Sequence, residues 1–146
     1  MRVLKSLRVF VIIMLALLAL QYELGIATNL SPNMKEVPPV GLADLDKVLA
    51  SVGEAAVLHA TLGVLLLATA VAALVLSILA AGPAIIVTGI IAFAGTALAF
   101  LNGILFSLGG FKDDGYSHGM ATGYLVAFSL YFIQVAIASV KLRQSA

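Results

Sequence analysis

The sequence predicts an all-α fold: four transmembrane helices in an up-down antiparallel bundle, with the N and C termini cytoplasmic. Three observations predict it. Of the 146 residues, 62% are hydrophobic and only 10% are charged, and the mean hydropathy is +1.15, whereas a soluble domain carries about a quarter charged residues. The apolar residues gather into four long runs separated by polar or Gly/Pro-containing breaks. The basic residues collect at the two ends of the chain and the acidic ones between the spans. The expectation is one membrane domain over residues 1–146, multi-pass in the cell membrane, with helices at about 7–27, 54–80, 84–108 and 117–140. Cysteine is absent, which excludes disulfides, thiolate metal sites, cysteine nucleophiles and lipid attachment to cysteine.

The first span opens on Arg2, Lys5 and Arg8, followed by an apolar run of residues 9–20. That run is shorter than the roughly 20 residues a spanning helix needs. A basic start and a short apolar run also fit a cleaved secretory signal. Gln21, Tyr22 and Glu23 follow in place of a small-x-small cleavage site, so a retained helix reaching about Ala27 is the favoured reading. Residues 29–52 form the one long polar segment, the outer loop. Pro38-Pro39 within it excludes a helix through that point and favours an extended segment. Residues 41–49, GLADLDKVL, carry apolar side chains at 42, 45, 48 and 49, the spacing of a short amphipathic helix at the interface. A packed connector capping the bundle is favoured over a binding loop.

The second span starts after Ser51 or Gly53 and ends at Ala81-Gly82-Pro83, where Gly and Pro act as stop and start signals. The third ends at Gly109-Gly110, and the fourth begins near Ser117 after a short polar loop. Flanking charges set the orientation. Arg2, Lys5, Arg8, Lys141 and Arg143 fall on one side with no acid; Lys35, Lys47 and Lys112 face seven acids on the other, Glu23, Glu36, Asp44, Asp46, Glu54, Asp113 and Asp114. Small residues let helices approach closely in lipid. Gly89, Ala92, Thr96, Ala99 and Gly103 make one stripe on the third span, and Gly115, Gly119, Gly123 and Ala127 make another on the fourth. Both are read as packing faces.

By this topology the polar residues of the spans, Gln21, Glu23, Glu54, His59, Asn102, Asp113, Asp114, Tyr116 and His118, lie in the outer half. Gln134 is the main exception. An apolar inner half argues against a continuous ion or proton pathway, which needs polar groups at successive depths. His59 and His118 are the only histidines, each within about two turns of the outer start of its helix. Two imidazoles facing each other across a bundle are the axial ligand arrangement of a b-type haem. Gly63 beneath His59, and Gly119 and Gly123 beside His118, would leave room for a flat macrocycle. The plainer alternative for each histidine is a hydrogen bond across helices or a place at the headgroup level. The same pair with Glu54, Asp113 or Asp114 would suit a divalent ion such as Zn²⁺, although Glu54 and His59 lie about 140° apart around a helix. Ser117 beside His118 forms no catalytic triad, because adjacent residues on a helix point apart.

Gln21-x-x-Leu24-Gly25-x-x-x-Asn29, His59-x-x-x-Gly63, Asn102-Gly103-x-x-Phe106 and Met120-Ala121-x-Gly123 resemble a group of small prokaryotic four-helix membrane proteins without an assigned activity. The layout also resembles one four-helix half of haem A synthase, whose halves place histidines on their second and fourth spans. Three features of that family are missing. Ala60 stands where an arginine usually follows the histidine, Glu54 is one or two positions too distant, and there is no cysteine pair in the outer loop. The resemblance implies a haem site on His59 and His118 without the oxidation of the haem methyl group. Two expectations follow. One is a membrane-embedded haem-b-binding protein, with electron transfer or a respiratory-complex accessory role near the outer face. The other is a non-catalytic membrane subunit that packs through its Gly/Ala faces and binds a partner protein. Neither makes the chain an enzyme on its own. The expected partners are the lipid bilayer and membrane-complex subunits, not nucleic acid.

Overall fold

The computed structural model describes residues 1–145, apart from the side chains of Lys35 and Glu36. Helix accounts for 87% of the chain, and no strand occurs among the described residues. Five helices follow in order: α1 (Arg2–Asn29), α2 (Leu45–Val52), α3 (Glu54–Leu79), α4 (Pro83–Leu108) and α5 (Asp114–Gln144). α1, α3, α4 and α5 are each long and apolar enough to cross a membrane.

The helix boundaries follow from local chemistry. α4 begins with Pro83 in its first turn, behind an extended Gly82, where the missing N–H of proline costs the helix nothing. α5 begins at Asp113, whose carboxylate accepts the Gly115 backbone N–H at 2.8 Å, an N-cap that satisfies one of the unpaired donors of the first turn. It ends with Lys141 and Arg143 in its last turn, the favourable place for cations on the helix dipole. α4 closes in a Schellman motif. Gly110 takes the left-handed conformation at φ 69°, its N–H donates to the Ser107 carbonyl, and the Phe111 N–H donates to the Phe106 carbonyl at 2.9 Å. Phe111 then packs edge-on against Phe106, ring centroids 5.5 Å apart, the apolar contact that accompanies this motif.

Two expected boundaries shift. The first span starts at Arg2 and not near residue 7, because the basic first turns carry no helix breaker and simply continue the helix beyond the apolar run. The fourth runs Asp114–Gln144 and not 117–140, because the Asp113 cap starts it earlier and no Gly or Pro stops it near residue 140. The amphipathic segment also divides. Residues Leu42–Asp44 form a 3-10 turn that leads into α2.

Each long helix has two main neighbours: α1 and α4 each pack on α3 and on α5. Their buried faces repeat at steps of three and four. These are Leu7, Val11, Met14 and Leu18 on α1, Leu66, Ala70 and Ala73 on α3, and Gly123, Ala127, Tyr131, Gln134 and Ala138 on α5. This is the seam spacing that keeps one stripe of a helix turned toward its partners. The outward faces are apolar as well, with Ile12, Ile13, Val64, Val87, Leu125 and Phe132 exposed, as a chain does when lipid covers its outer surface.

A second cluster covers one end of the bundle. Met34, Val37, Val48, Val52, Ala56 and Phe106 bury one another there. The Val40 N–H donates to the Leu108 carbonyl at 2.9 Å and the Ser31 hydroxyl to the Val52 carbonyl at 2.7 Å. The Pro38-Pro39 strap lies on Gly110, where a Cβ would come within 2.6 Å of the Val37 carbonyl oxygen. The long polar segment is thus a packed cap.

Candidate functional site

The residues with the greatest chemical interest meet between α1 and α3. His59, one and a half turns into α3, points at α1. Its Nδ1 lies 3.1 Å from the backbone carbonyl of Gln21, and its Nε2 lies 3.2 Å from the Gln21 side-chain Nε2. A carbonyl can only accept, so Nδ1 carries the proton and donates. Nε2 is then the acceptor for the Gln21 amide N–H. One residue on α1 therefore fixes both the tautomer and the orientation of the ring.

Gly25 makes room for this contact, and Gly63 lies beside it. A Cβ on Gly25, one turn beyond Gln21, would come within 3.1 Å of His59 Cε1. Gly63, one turn beyond His59, faces the Gln21 amide nitrogen at 3.5 Å from a Cβ position and the Phe100 ring at 3.7 Å. The polar side chain of each helix thus rests over the glycine of the other. The same reciprocal pairing recurs between α4 and α5, where the Asn102 amide covers Gly119 and Met120 covers Gly103. Asn102 returns its own N–H to the Leu98 carbonyl at 2.8 Å.

At the opposite end of the long helices, Gln134 of α5 is buried, with 1% of its surface exposed. Its Nε2 donates to the Ser77 hydroxyl of α3 at 2.7 Å and to the Ile85 carbonyl of α4 at 3.1 Å. The Ser77 hydroxyl donates in turn to the Ala73 carbonyl. Gly89 gives the space, since a Cβ there would lie 2.7 Å from Ser77 Oγ and 3.1 Å from Gln134 Nε2. One amide ties three helices. The inner half reads as apolar from the sequence, with Gln134 as the main exception; the polar node sits on that residue, and Ser77, which was not singled out, belongs to it.

The sequence-derived haem site is not assembled in this arrangement. Both ring nitrogens of His59 are engaged by Gln21, which leaves neither free to bind iron. His118 is exposed on α5 and makes no side-chain hydrogen bond among the described residues. The glycines expected to clear room are filled. Gly63 lies under Gln21 and Phe100, Gly119 under Asn102, and Gly123 against the α4 backbone, with Ala99 N and Gly95 O each 2.6 Å from a Cβ position. These residues do not fit a haem held between the two imidazoles. Among the described residues no group of three or more His, Cys, Asp or Glu side chains could hold a metal ion either, so His59, His118, Glu54, Asp113 and Asp114 are not gathered into a divalent-cation site.

Sequence reasoning missed Gln21 as the partner of His59, although the signal was present. Gln21/Gly25 and His59/Gly63 are two polar-glycine pairs at identical four-residue spacing near facing ends of consecutive spans. The capped end also carries exposed acids, Glu23, Asp44, Asp46, Glu54, Asp113 and Asp114. Among the described residues the one ion pair is Lys47–Asp44 at 2.8 Å, within a single turn and exposed, so it contributes little. A shallow groove edged by Ala50, Gly53, Glu54, Val57 and Leu58 opens where α2 meets α3. Comparison with protein-family models, with curated proteins and with solved structures found no match for this chain.

Proposed function

We propose that the chain is a non-catalytic subunit of a membrane assembly, an up-down antiparallel four-span bundle that presents its acidic cap to a protein partner outside the cytoplasm. The antiparallel arrangement is supported by contacts between opposite ends of sequential helices. Gln21 late in α1 meets His59 early in α3, and Tyr22 stacks on Tyr124 early in α5, centroids 5.6 Å apart. Cytoplasmic termini are supported by the five basic and no acidic residues at the uncapped end, since basic residues flank spans on the cytoplasmic side.

The observation that carries the reading is the inward commitment of the intramembrane polar groups. Gln21 and His59 bond each other across α1 and α3, and Gln134 bonds Ser77 and the Ile85 carbonyl across α5, α3 and α4, so these four act as interhelical fasteners, a common use of polar side chains in lipid. The chemistry left for a partner is the cap, with its exposed carboxylates, the groove beside Glu54, and the exposed Leu42 and Leu58. The arrangement of His59 and His118 lends no support to electron transfer through haem b.

The test is a photo-crosslinking amino acid placed at Leu58 in the groove, with the lipid-facing Leu65 as comparison, in native membranes. The reading expects a discrete protein adduct from position 58 and lipid adducts alone from position 65. Lipid adducts alone from both, with the solubilised chain a lone monomer, would reject it.

A further inference from the structure

The basic end of the bundle offers more than an orientation signal. Tyr22 and Tyr124 stack across the α1–α5 seam, and Lys5 and Lys141 both lie seventeen residues from that stack along their helices. At 1.5 Å per residue this puts both backbone positions about 26 Å from it along their helices, at similar levels on neighbouring helices. Arg2, Arg8 and Arg143 lie within three residues of them in the sequence, and no acid does. Lys141 is folded over the α3–α4 turn, its Nζ 2.5 Å from a Cβ position on Gly82. Lys5 has no such seat. It is exposed, has no ion-pair partner among the described residues, and stands at the head of a shallow, open groove along one face of α1, formed by Lys5, Ser6, Val9, Phe10 and Ile13. The Ser6 hydroxyl beside it makes no hydrogen bond among the described residues. The groove is therefore polar and cationic at the bilayer surface and apolar along the next two turns into the bilayer.

We propose that this groove holds an anionic phospholipid, its phosphate on the Lys5 ammonium and Ser6 hydroxyl and one acyl chain along Val9, Phe10 and Ile13. The inference rests on the membrane-spanning reading above. Charge complementarity selects the ligand: a cluster of four to eight Lys/Arg at the cytoplasmic end of spanning helices attracts anionic headgroups, and the apolar run below Lys5 requires a tail that a soluble phosphate lacks.

The chain contains no tryptophan, so Phe10→Trp gives a single reporter in the groove. The protein is reconstituted in vesicles of phosphatidylglycerol and phosphatidylcholine, with bromine on the chains of one lipid at a time. The expected result is that brominated phosphatidylglycerol competes about fivefold better than brominated phosphatidylcholine for the reporter. Lys5→Gln brings that preference to about 1, Arg143→Gln leaves it near the starting value, and soluble glycerol phosphate does not displace the lipid. Equal quenching by the two lipids overturns the proposal, as does an equal loss with Arg143→Gln, which would mean a diffuse surface potential, or displacement by glycerol phosphate. These failures are distinct from failure of the membrane-spanning reading, in which no brominated lipid quenches the reporter and alkaline carbonate extracts the protein.

Discussion

His59 takes its place from a single residue on another helix, and that gives it a measurable energy. Each of its nitrogens meets Gln21, one through the backbone and one through the side chain. Interhelical hydrogen bonds in membrane proteins average about 0.6 kcal/mol and reach about 1.7. A double-mutant cycle on Gln21→Ala and His59→Ala, read by thermal unfolding in detergent, should give a coupling of about 1 kcal/mol, because the side-chain bond is lost in either single variant. Additive effects would mean that the Gln21 amide and the imidazole do not bond each other. Gly25→Ala should destabilise by a further route, since its methyl must push the imidazole aside, at a cost of about 1–3 kcal/mol. The same geometry predicts that purified, dithionite-reduced protein expressed with added haem shows no Soret or α bands. A six-coordinate spectrum that vanishes in both His59→Ala and His118→Ala would overturn this account of the ring. The sequence made His59 conspicuous through its place near the start of an apolar helix. It could not choose between His118 and Gln21 as partner, because matching depth is readable from a sequence whereas the azimuth between helices depends on how they pack.

At the scale of elements, glycines decide how near the helices come. The α4–α5 pair is the tightest, with Gly95 facing the Gly123 carbonyl and the Ala127 backbone, and Gly123 facing Gly95 and Ala99 in return. Gly123→Ala should therefore cost about 1–3 kcal/mol by overpacking, because the obstruction is backbone and cannot rotate away. Gly115→Ala, where a Cβ would meet only the exposed Asp113 carboxylate at 3.0 Å, should cost less than half as much in the same unfolding measurement. Equal effects would show that the close approach at Gly123 does not exist. The periodic small residues of both spans announced this face, but Gly95 stood outside the stripe as it was read, because a step of four from Ala92 leads to Thr96, where a step of three to Gly95 fits the period equally well. The cap is governed by Gly110 in the same way. Gly110→Ala meets both a left-handed backbone and the Val37 carbonyl, so it should release the Pro38-Pro39 strap and raise amide hydrogen exchange over residues 32–52 while α1, α3 and α5 stay protected. Unchanged exchange in that segment would show that the strap is held by something other than this turn.

For the whole molecule, the number and placement of the long helices were readable because composition and length alone decide whether a segment is soluble in lipid. The first helix was legible less directly. Its apolar core is only twelve residues, and it reaches twenty-eight in α1 by extending through charged and polar turns at both ends, which hydropathy undercounts. What composition leaves open is the direction of the bundle, and that direction decides where the cap and the basic end act. The absence of cysteine permits a clean measurement, since each introduced thiol is the only one present. Ala43→Cys lies in the exposed 3-10 turn of the cap and Ser145→Cys just beyond α5, both on exposed positions away from the core, so neither should disturb folding. Five flanking cations against no acid at the termini predict that a membrane-impermeant maleimide applied to intact cells labels Ala43→Cys, and labels Ser145→Cys only after the membrane is opened. The reverse pattern would put the acidic cap in the cytoplasm and move the expected protein partner there with it. Labelling of both positions in intact cells would break the even number of spans on which the antiparallel arrangement depends.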